Sequence, residues 1–191
     1  MKDMTCRLIA LFFLATALPL HAAAASDAEV WQALAGGGHV AMIRHARAPG
    51  TGDPANFRIG DCSTQRNLDS SGRDQARAIG DAFRANGIAA AKVYTSQWCR
   101  CRETAELLGL GAPEDLTPLN SFFGERAKGP GQTEALRDWL GGQAQAGPLV
   151  LVTHQVNITS FTGVYPSSGE MVVFRLTPDS KPAVVGTVLV R

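Results

Sequence analysis

Short apolar runs bounded by turn residues alternate along this chain with longer stretches in which apolar residues recur at helical spacing. Ala28 to Leu34 reads as a short helix ended by Gly36-Gly37-Gly38, and His39 to Ile43 as the strand that follows. A Gly/Pro/Asp/Asn-rich segment from Pro49 to Asn67 is long enough to suggest a functional loop. Ser71 to Asn86 then carries Ala76, Ile79, Ala82 and Phe83 on one helical face, with Ser70 or Ser71 as cap and Gly87 as stop. Lys92 to Thr95 reads as a strand, Trp98 to Leu108 as a helix closed by Gly109, and Thr117 to Leu119 as a short strand. A loop from Ser121 to Gly131 leads to a helix over Thr133 to Leu140. Pro148 introduces the most apolar strand, Leu149 to Thr153. Met171 to Leu176 and Ala183 to Val190 fit an antiparallel hairpin with Pro178-Asp-Ser at its turn. The alternation predicts a three-layer α/β/α sandwich with a mostly parallel central sheet and an antiparallel C-terminal hairpin.

The first residues follow a different pattern. Lys2 and Arg7 precede an apolar run from Leu8 to Leu20 that is short for a membrane span, and Ala22 to Ala25 supply small residues for cleavage. The expectation is a signal peptide over residues 1–25, a single domain over 26–191, and a periplasmic or secreted product with no membrane span. Cys6 precedes the apolar run and is badly placed for lipid attachment. Losing Lys2, Asp3 and Arg7 takes the 18 basic and 17 acidic side chains to 16 of each, a near-neutral chain. With no Lys/Arg run or basic-aromatic stripe, a nucleic-acid partner is not expected, and an anionic ligand would have to be captured by a few focused arginines.

Three cysteines then remain, Cys62, Cys99 and Cys101. Outside the cytoplasm thiols tend to pair, so one disulfide and one leftover thiol are expected. Cys99 and Cys101 are too close to pair comfortably, which leaves Cys62 bridged to one of them. Cys-Arg-Cys lacks the spacer and second ligand pair of a metal or redox motif. A zinc site using His39, His45 and cysteines would need ligands from opposite strand ends, so no metal centre is expected.

Candidate chemistry gathers where apolar strands end in polar residues. His45 follows Arg44 at the end of the first strand, Ser96 to Arg100 follow the second, and His154 follows the fourth apolar run. Ligands of such sheets bind beyond the carboxyl ends of the strands. Arg44-His45-Ala46, Leu68-x-x-x-Gly72-x-x-Gln75-Ala76, the Ser96-x-x-x-Arg100-x-x-x-Thr104-Ala105 segment and His154 together resemble, in order, the motifs of the histidine phosphatase (phosphoglycerate mutase-like) superfamily. Ala46 stands where the family usually has Gly.

The resemblance implies that His45 is a nucleophile forming phosphohistidine, while Arg44, Arg100 and His154 hold the phosphate. It implies a general acid near Pro118 to Glu125, where Glu125 is the nearest carboxylate; Gln155 occupies the position at which another branch keeps an Asp. Arg47, Arg58 and Arg66 read as loop charges, one of which could shape the substrate mouth, and His39 reads as structural. The implied activity is that of an exported phosphatase hydrolysing phosphomonoesters without a cofactor. Its substrate would be a small phosphorylated compound or a phosphorylated envelope glycolipid. Two alternatives stand beside it: a catalytically weak phospho-ligand binding module of the envelope, and a phosphoglycerate mutase-like phosphotransferase, which would need a phosphorylated cofactor.

Overall fold

Residues 25–143 and 147–190 are described by the computed structural model; the proposed signal peptide, residues 1–25, lies almost wholly outside them. Six strands, Val40–Arg44 (β1), Lys92–Thr95 (β2), Glu114–Asp115 (β3), Leu149–Thr153 (β4), Met171–Leu176 (β5) and Pro182–Val188 (β6), form one sheet in the order β3-β2-β4-β1-β5-β6. Neighbours from β3 to β1 run parallel, whereas β5 and β6 are antiparallel additions at the β1 side. Five helices accompany them: Asp27–Ala35 (α1), Ser70–Ala85 (α2), Cys99–Leu108 (α3), Gly129–Gly141 (α4) and Gln155–Thr162 (α5).

Side chains alternate across each strand, so the sheet feeds two cores. Ala41, Ile43, Val150 and Val152 pack with Val30 and Leu34 of α1, Ile79 and Phe83 of α2, and Ala105 and Leu108 of α3. Val40, Met42, Leu149 and Leu151 instead meet Leu136 and Leu140 of α4 and Ile158 and Phe161 of α5. The three-layer sandwich expected from the pattern is the architecture found. Among the described residues no helix is long and apolar enough to cross a membrane.

Several elements depart from the sequence expectation. Thr117–Leu119 is a single 3-10 turn, because Pro118 lacks the N–H that a ladder needs, and the edge strand is the two-residue β3 just before it. Helix α5 was not foreseen; four of its eight residues are buried, so its apolar pattern lacks a polar face to mark it. Helix α4 starts at Gly129 rather than Thr133, with Pro130 in its first turn, where a missing N–H costs nothing. The cap of α2 is Asp69, whose carboxylate accepts from Gly72 N at 2.7 Å, not Ser70 or Ser71.

Two glycines permit close backbone approach. A Cβ on Gly72 would lie 2.0 Å from the Arg47 carbonyl oxygen, and one on Gly80 2.1 Å from that of Leu108. The first brings the start of α2 against the segment that follows β1, and the second closes α2 onto α3.

Candidate active site

Strand register lines up the first two residues of the site. Arg44 pairs with Thr153, so the residues one step beyond, His45 and His154, emerge side by side, and His45 N donates to Thr153 O at 2.9 Å. Thr95 pairs with Val152, which puts Ser96 on the other flank of His154. The imidazoles of His45 and His154 sit with centroids 5.5 Å apart, both almost wholly buried.

His45 has its two ring nitrogens in different roles. Nδ1–H donates to the Ala46 carbonyl at 2.8 Å, which leaves the Nε2 lone pair facing the Nε–H of Arg100 at 3.2 Å. Burial first, then the charge of Arg100, pushes the His45 pKa down to about 3, against the Ala46 bond that favours the charged form. The ring is therefore a neutral base at physiological pH. His154 is held well below its ordinary value by burial and then by Arg100 and His45. Its Nε2 lies 2.9 Å from Ser96 Oγ and its Nδ1 3.5 Å from Arg100 Nη2. Asn120 Oδ1 accepts from Ser96 Oγ at 3.3 Å and from Gln97 N at 2.9 Å, which fixes the Ser96 side.

Thr104 ties the turn after His45 to α3: its hydroxyl donates to Arg100 O at 2.6 Å and accepts from Ala46 N at 3.1 Å. Gln75 does the same from α2, accepting from Arg47 N at 3.0 Å and donating to Ser168 O at 2.8 Å. Ala46 is fully buried. Arg44 donates through Nη1 to Pro166 O at 3.0 Å, while its Nε is buried without a hydrogen-bond partner among the described residues. An orphaned buried donor costs about 1–3 kcal/mol until an acceptor arrives.

Arg44, His45, Arg100, Asn120 and His154 line a pocket of about 830 Å³ beyond the carboxyl ends of β1, β2 and β4. Residues 40–122 match the family model described as histidine phosphatase superfamily (branch 1). Over those residues, less than half of the chain, the sequence is similar to the histidine phosphatase superfamily. Solved structures align over most of this chain. The protein histidine phosphatase SixA complexed with tungstate is 14% identical, with TM-score 0.55 over 78% of this chain and 96% of that one. Phosphoserine phosphatase from Entamoeba histolytica in complex with 3-phosphoglyceric acid is 13% identical, with TM-score 0.54 over 79% and 96%. Bacillus stearothermophilus YhfR is 16% identical, with TM-score 0.53 over 78% and 95%. At such identities the likeness establishes the fold. Comparison with curated proteins gave no match.

Of the expected site residues, Arg44, His45, Arg100 and His154 converge in this pocket. Glu125 lines its mouth, but its side chain is 67% exposed and paired with Lys128 at 2.7 Å, so it lacks the burial that a proton-donating role requires. Of the three loop arginines, Arg47 and Arg58 pair with Asp69 and Asp61 at the surface. Arg66 turns inward, half-buried, and lines the pocket; its Nε donates to Gly52 O at 2.9 Å and its Nη1 to Ala48 O. His39 bonds its own turn through Nδ1 and Gly37 O at 2.9 Å, away from the site.

Sequence reasoning missed Asp53, whose carboxylate takes both terminal nitrogens of Arg100 at 2.7 and 3.1 Å. Burial, the largest single influence, pushes its pKa up; the Arg100 hydrogen bond and charge, the Trp98 indole N–H and the Arg66 backbone N–H outweigh it and leave it below the usual carboxylate range. The available signal was the length of the loop that carries it. Cys62 is bridged to Cys99, one of the two pairings expected, which clips this loop to the start of α3. Cys101 is the free thiol, fully buried and 3.5 Å from His154 Nε2; burial pushes it up to about 12.

Proposed function

We propose that this chain is an exported phosphatase that hydrolyses phosphomonoesters in two displacements through a phosphohistidine at His45. The observation that carries the reading is the unprotonated Nε2 of His45, held by its Nδ1 bond to Ala46 O and ringed by Arg44, Arg66, Arg100 and His154. In the first displacement Nε2 attacks phosphorus, the ester P–O bond breaks, and the alcohol oxygen leaves and takes a proton. In the second, water attacks phosphorus, the N–P bond breaks, and inorganic phosphate departs as His45 regains its neutral ring. The guanidiniums face the equatorial oxygens, on which charge is spread throughout. Rotation of the Ser96 hydroxyl to donate to His154 Nε2 would leave Nδ1–H to donate to a phosphoryl oxygen.

Glu125, exposed and paired with Lys128, is a poor donor to a basic leaving oxygen in this arrangement, so esters of acidic alcohols are the expected best substrates. The rim carries Ile59, Phe123 and Tyr165, three exposed apolar side chains that suit the body of an ester larger than its phosphate. A small phosphorylated compound or a phosphorylated envelope glycolipid meets that description. Export to the periplasm or beyond is supported by the apolar leader with its alanine-rich end and by the Cys62–Cys99 bridge.

Acid-labile, alkali-stable phosphate should be trapped on His45 by rapid quenching with 4-nitrophenyl phosphate, and His45→Ala should abolish both label and turnover. Label on Ser or Asp, or undiminished turnover in His45→Ala, would sink the assignment. The binding-module reading draws on the exposure of Glu125; it predicts phosphate binding without turnover in the wild type. The phosphotransferase reading predicts label that passes to an acceptor alcohol in preference to water.

A further inference from the structure

Arg100 is a guanidinium with every N–H direction already assigned. Its side-on edge, Nε–H with the neighbouring Nη2–H, points to His45 Nε2 at 3.2 Å and His154 Nδ1 at 3.5 Å. Its end-on edge, Nη1 and Nη2, is taken by Asp53 at 2.7 and 3.1 Å, with Arg66 O accepting from Nη1 at 3.3 Å. The pair is inside the protein, the Arg100 side chain being 3% exposed and that of Asp53 16%.

Asp53 is fixed by contacts other than Arg100. Trp98 Nε1 donates to its Oδ2 at 3.0 Å and Arg66 N to its Oδ1 at 3.3 Å. The loop is pinned just before Asp53, where Arg66 holds the carbonyls of Ala48 and Gly52, and beyond it by the Cys62–Cys99 bridge. A carboxylate anchored this way sets the plane and rotation of the guanidinium rather than following it. Arg44, Arg66, Arg100 and Lys128 against Asp53 and Glu125 also leave the pocket with two net positive charges, the complement of a dianionic phosphoryl group.

We propose that Asp53 is a positioning residue that acts through Arg100: by occupying the end-on edge it turns the side-on edge toward the phosphoryl group between His45 and His154. The inference rests on the phosphatase reading above. Asp53 touches no reacting atom. Its charge repels the substrate phosphate, so its contribution lies in aim and not in affinity, and the two separate kinetically. Misplacement of a catalytic group by about 1 Å costs on the order of a hundredfold.

Asp53→Asn, with thermal unfolding and the disulfide checked first, should lower kcat by at least about tenfold. Inorganic phosphate should inhibit it no more weakly than it inhibits the wild type, and the loss should be equal for 4-nitrophenyl and phenyl phosphate. In an Arg100→Ala background the same substitution should cost no more than about twofold further, because residues acting through one another are not additive. A kcat that is unchanged or raised overturns the proposal, since Asp53 would then be idle or a competitor for Arg100. A loss confined to phenyl phosphate overturns it in favour of a proton donor, and full additivity with Arg100→Ala overturns it in favour of a purely structural role. Should Asp53→Asn not fold, Trp98→Phe removes one anchor of Asp53 and is read in the same way: lower kcat with phosphate inhibition retained supports the proposal, unchanged kcat overturns it. An active wild type indifferent to these changes sinks this inference alone, whereas a wild type with neither turnover nor label on His45 sinks the phosphatase reading and this inference with it.

Discussion

The imidazole of His45 is committed to Ala46 on one side and open toward Arg100 on the other, and the neighbours of that open nitrogen set what single substitutions should do. Arg100→Ala and His154→Ala should each lower turnover on the order of a hundredfold, the usual cost of one donor aimed at transition-state charge. Steady-state kinetics on 4-nitrophenyl phosphate, with folding checked by circular dichroism, decides it, and near-normal kcat would remove that residue from the machinery. Glu125→Gln breaks a surface ion pair and should stay within about fivefold of wild type for good and poor leaving groups alike. A selective loss on phenyl phosphate would instead restore Glu125 as the acid. Polar residues just past apolar strands, together with the motifs that carry the family resemblance, made Arg44, His45, Arg100 and His154 legible in the sequence. Asp53 and Arg66 were not, because whether a loop charge faces solvent or a pocket depends on contacts from Trp98, Gly52 and Ala48 that sequence distance hides.

Among the elements, α2 and the long loop do most to hold the site in shape. Gly72→Ala would drive a methyl into the Arg47 carbonyl, at a contact that brings α2 against the turn after His45. The backbone on both sides resists adjustment, so a loss of about 1–3 kcal/mol is expected, together with reduced turnover, since Gln75 on the same helix holds Arg47 N. Denaturant midpoints and kcat would show both; a stability equal to wild type would mean that the helix start can shift without consequence. Cys62→Ser removes a link that closes 37 residues of sequence. Chain entropy puts that at about 4 kcal/mol, and the loop bearing Asp53 and Arg66 would lose its covalent attachment to α3. Unfolding measured with and without reductant tests this: the wild type under reductant should behave like the variant, and no difference between oxidised and reduced protein would refute it. Periodicity revealed α2 because its buried face is narrow, whereas α5 and the turn at Thr117–Leu119 stayed obscure, one being largely buried and the other too short to show a period.

For the molecule as a whole, the two buried histidines link stability to pH. Each is depressed below its ordinary 6.5 in the folded state, His45 to about 3, so the unfolded chain binds protons that the folded chain refuses. Stability is therefore fully present above about pH 6.5 and falls as the pH drops toward 3, by at most about 1.4 kcal/mol per pH unit for each histidine. Denaturant titrations from pH 7 to 4 should show that decline. The His45→Ala variant should show a shallower one, and parallel curves would mean that His45 does not carry the linkage. The global layout was the most legible feature, because alternating apolar strands and helices admit few arrangements. The strand order was not: that β4 inserts between β2 and β1 is a matter of pairing, and no local pattern encodes it.

The parallel ladder joining Arg44 to Thr153 has a consequence for how this chain can tolerate change in length. The two imidazoles are neighbours only because β1 and β4 end in step, and alternation sends each side chain to the face opposite its predecessor's. One residue inserted within either strand would turn its histidine to the opposite face of the sheet and bury a polar group in its place. Residues added at the tip of the loop between Pro49 and Asn67, short of its anchors, would move nothing that the ladder aligns. Insertions are therefore expected to be lethal in ten residues of strand and tolerated at the loop tip, which separates segments whose length is fixed from one whose length is free.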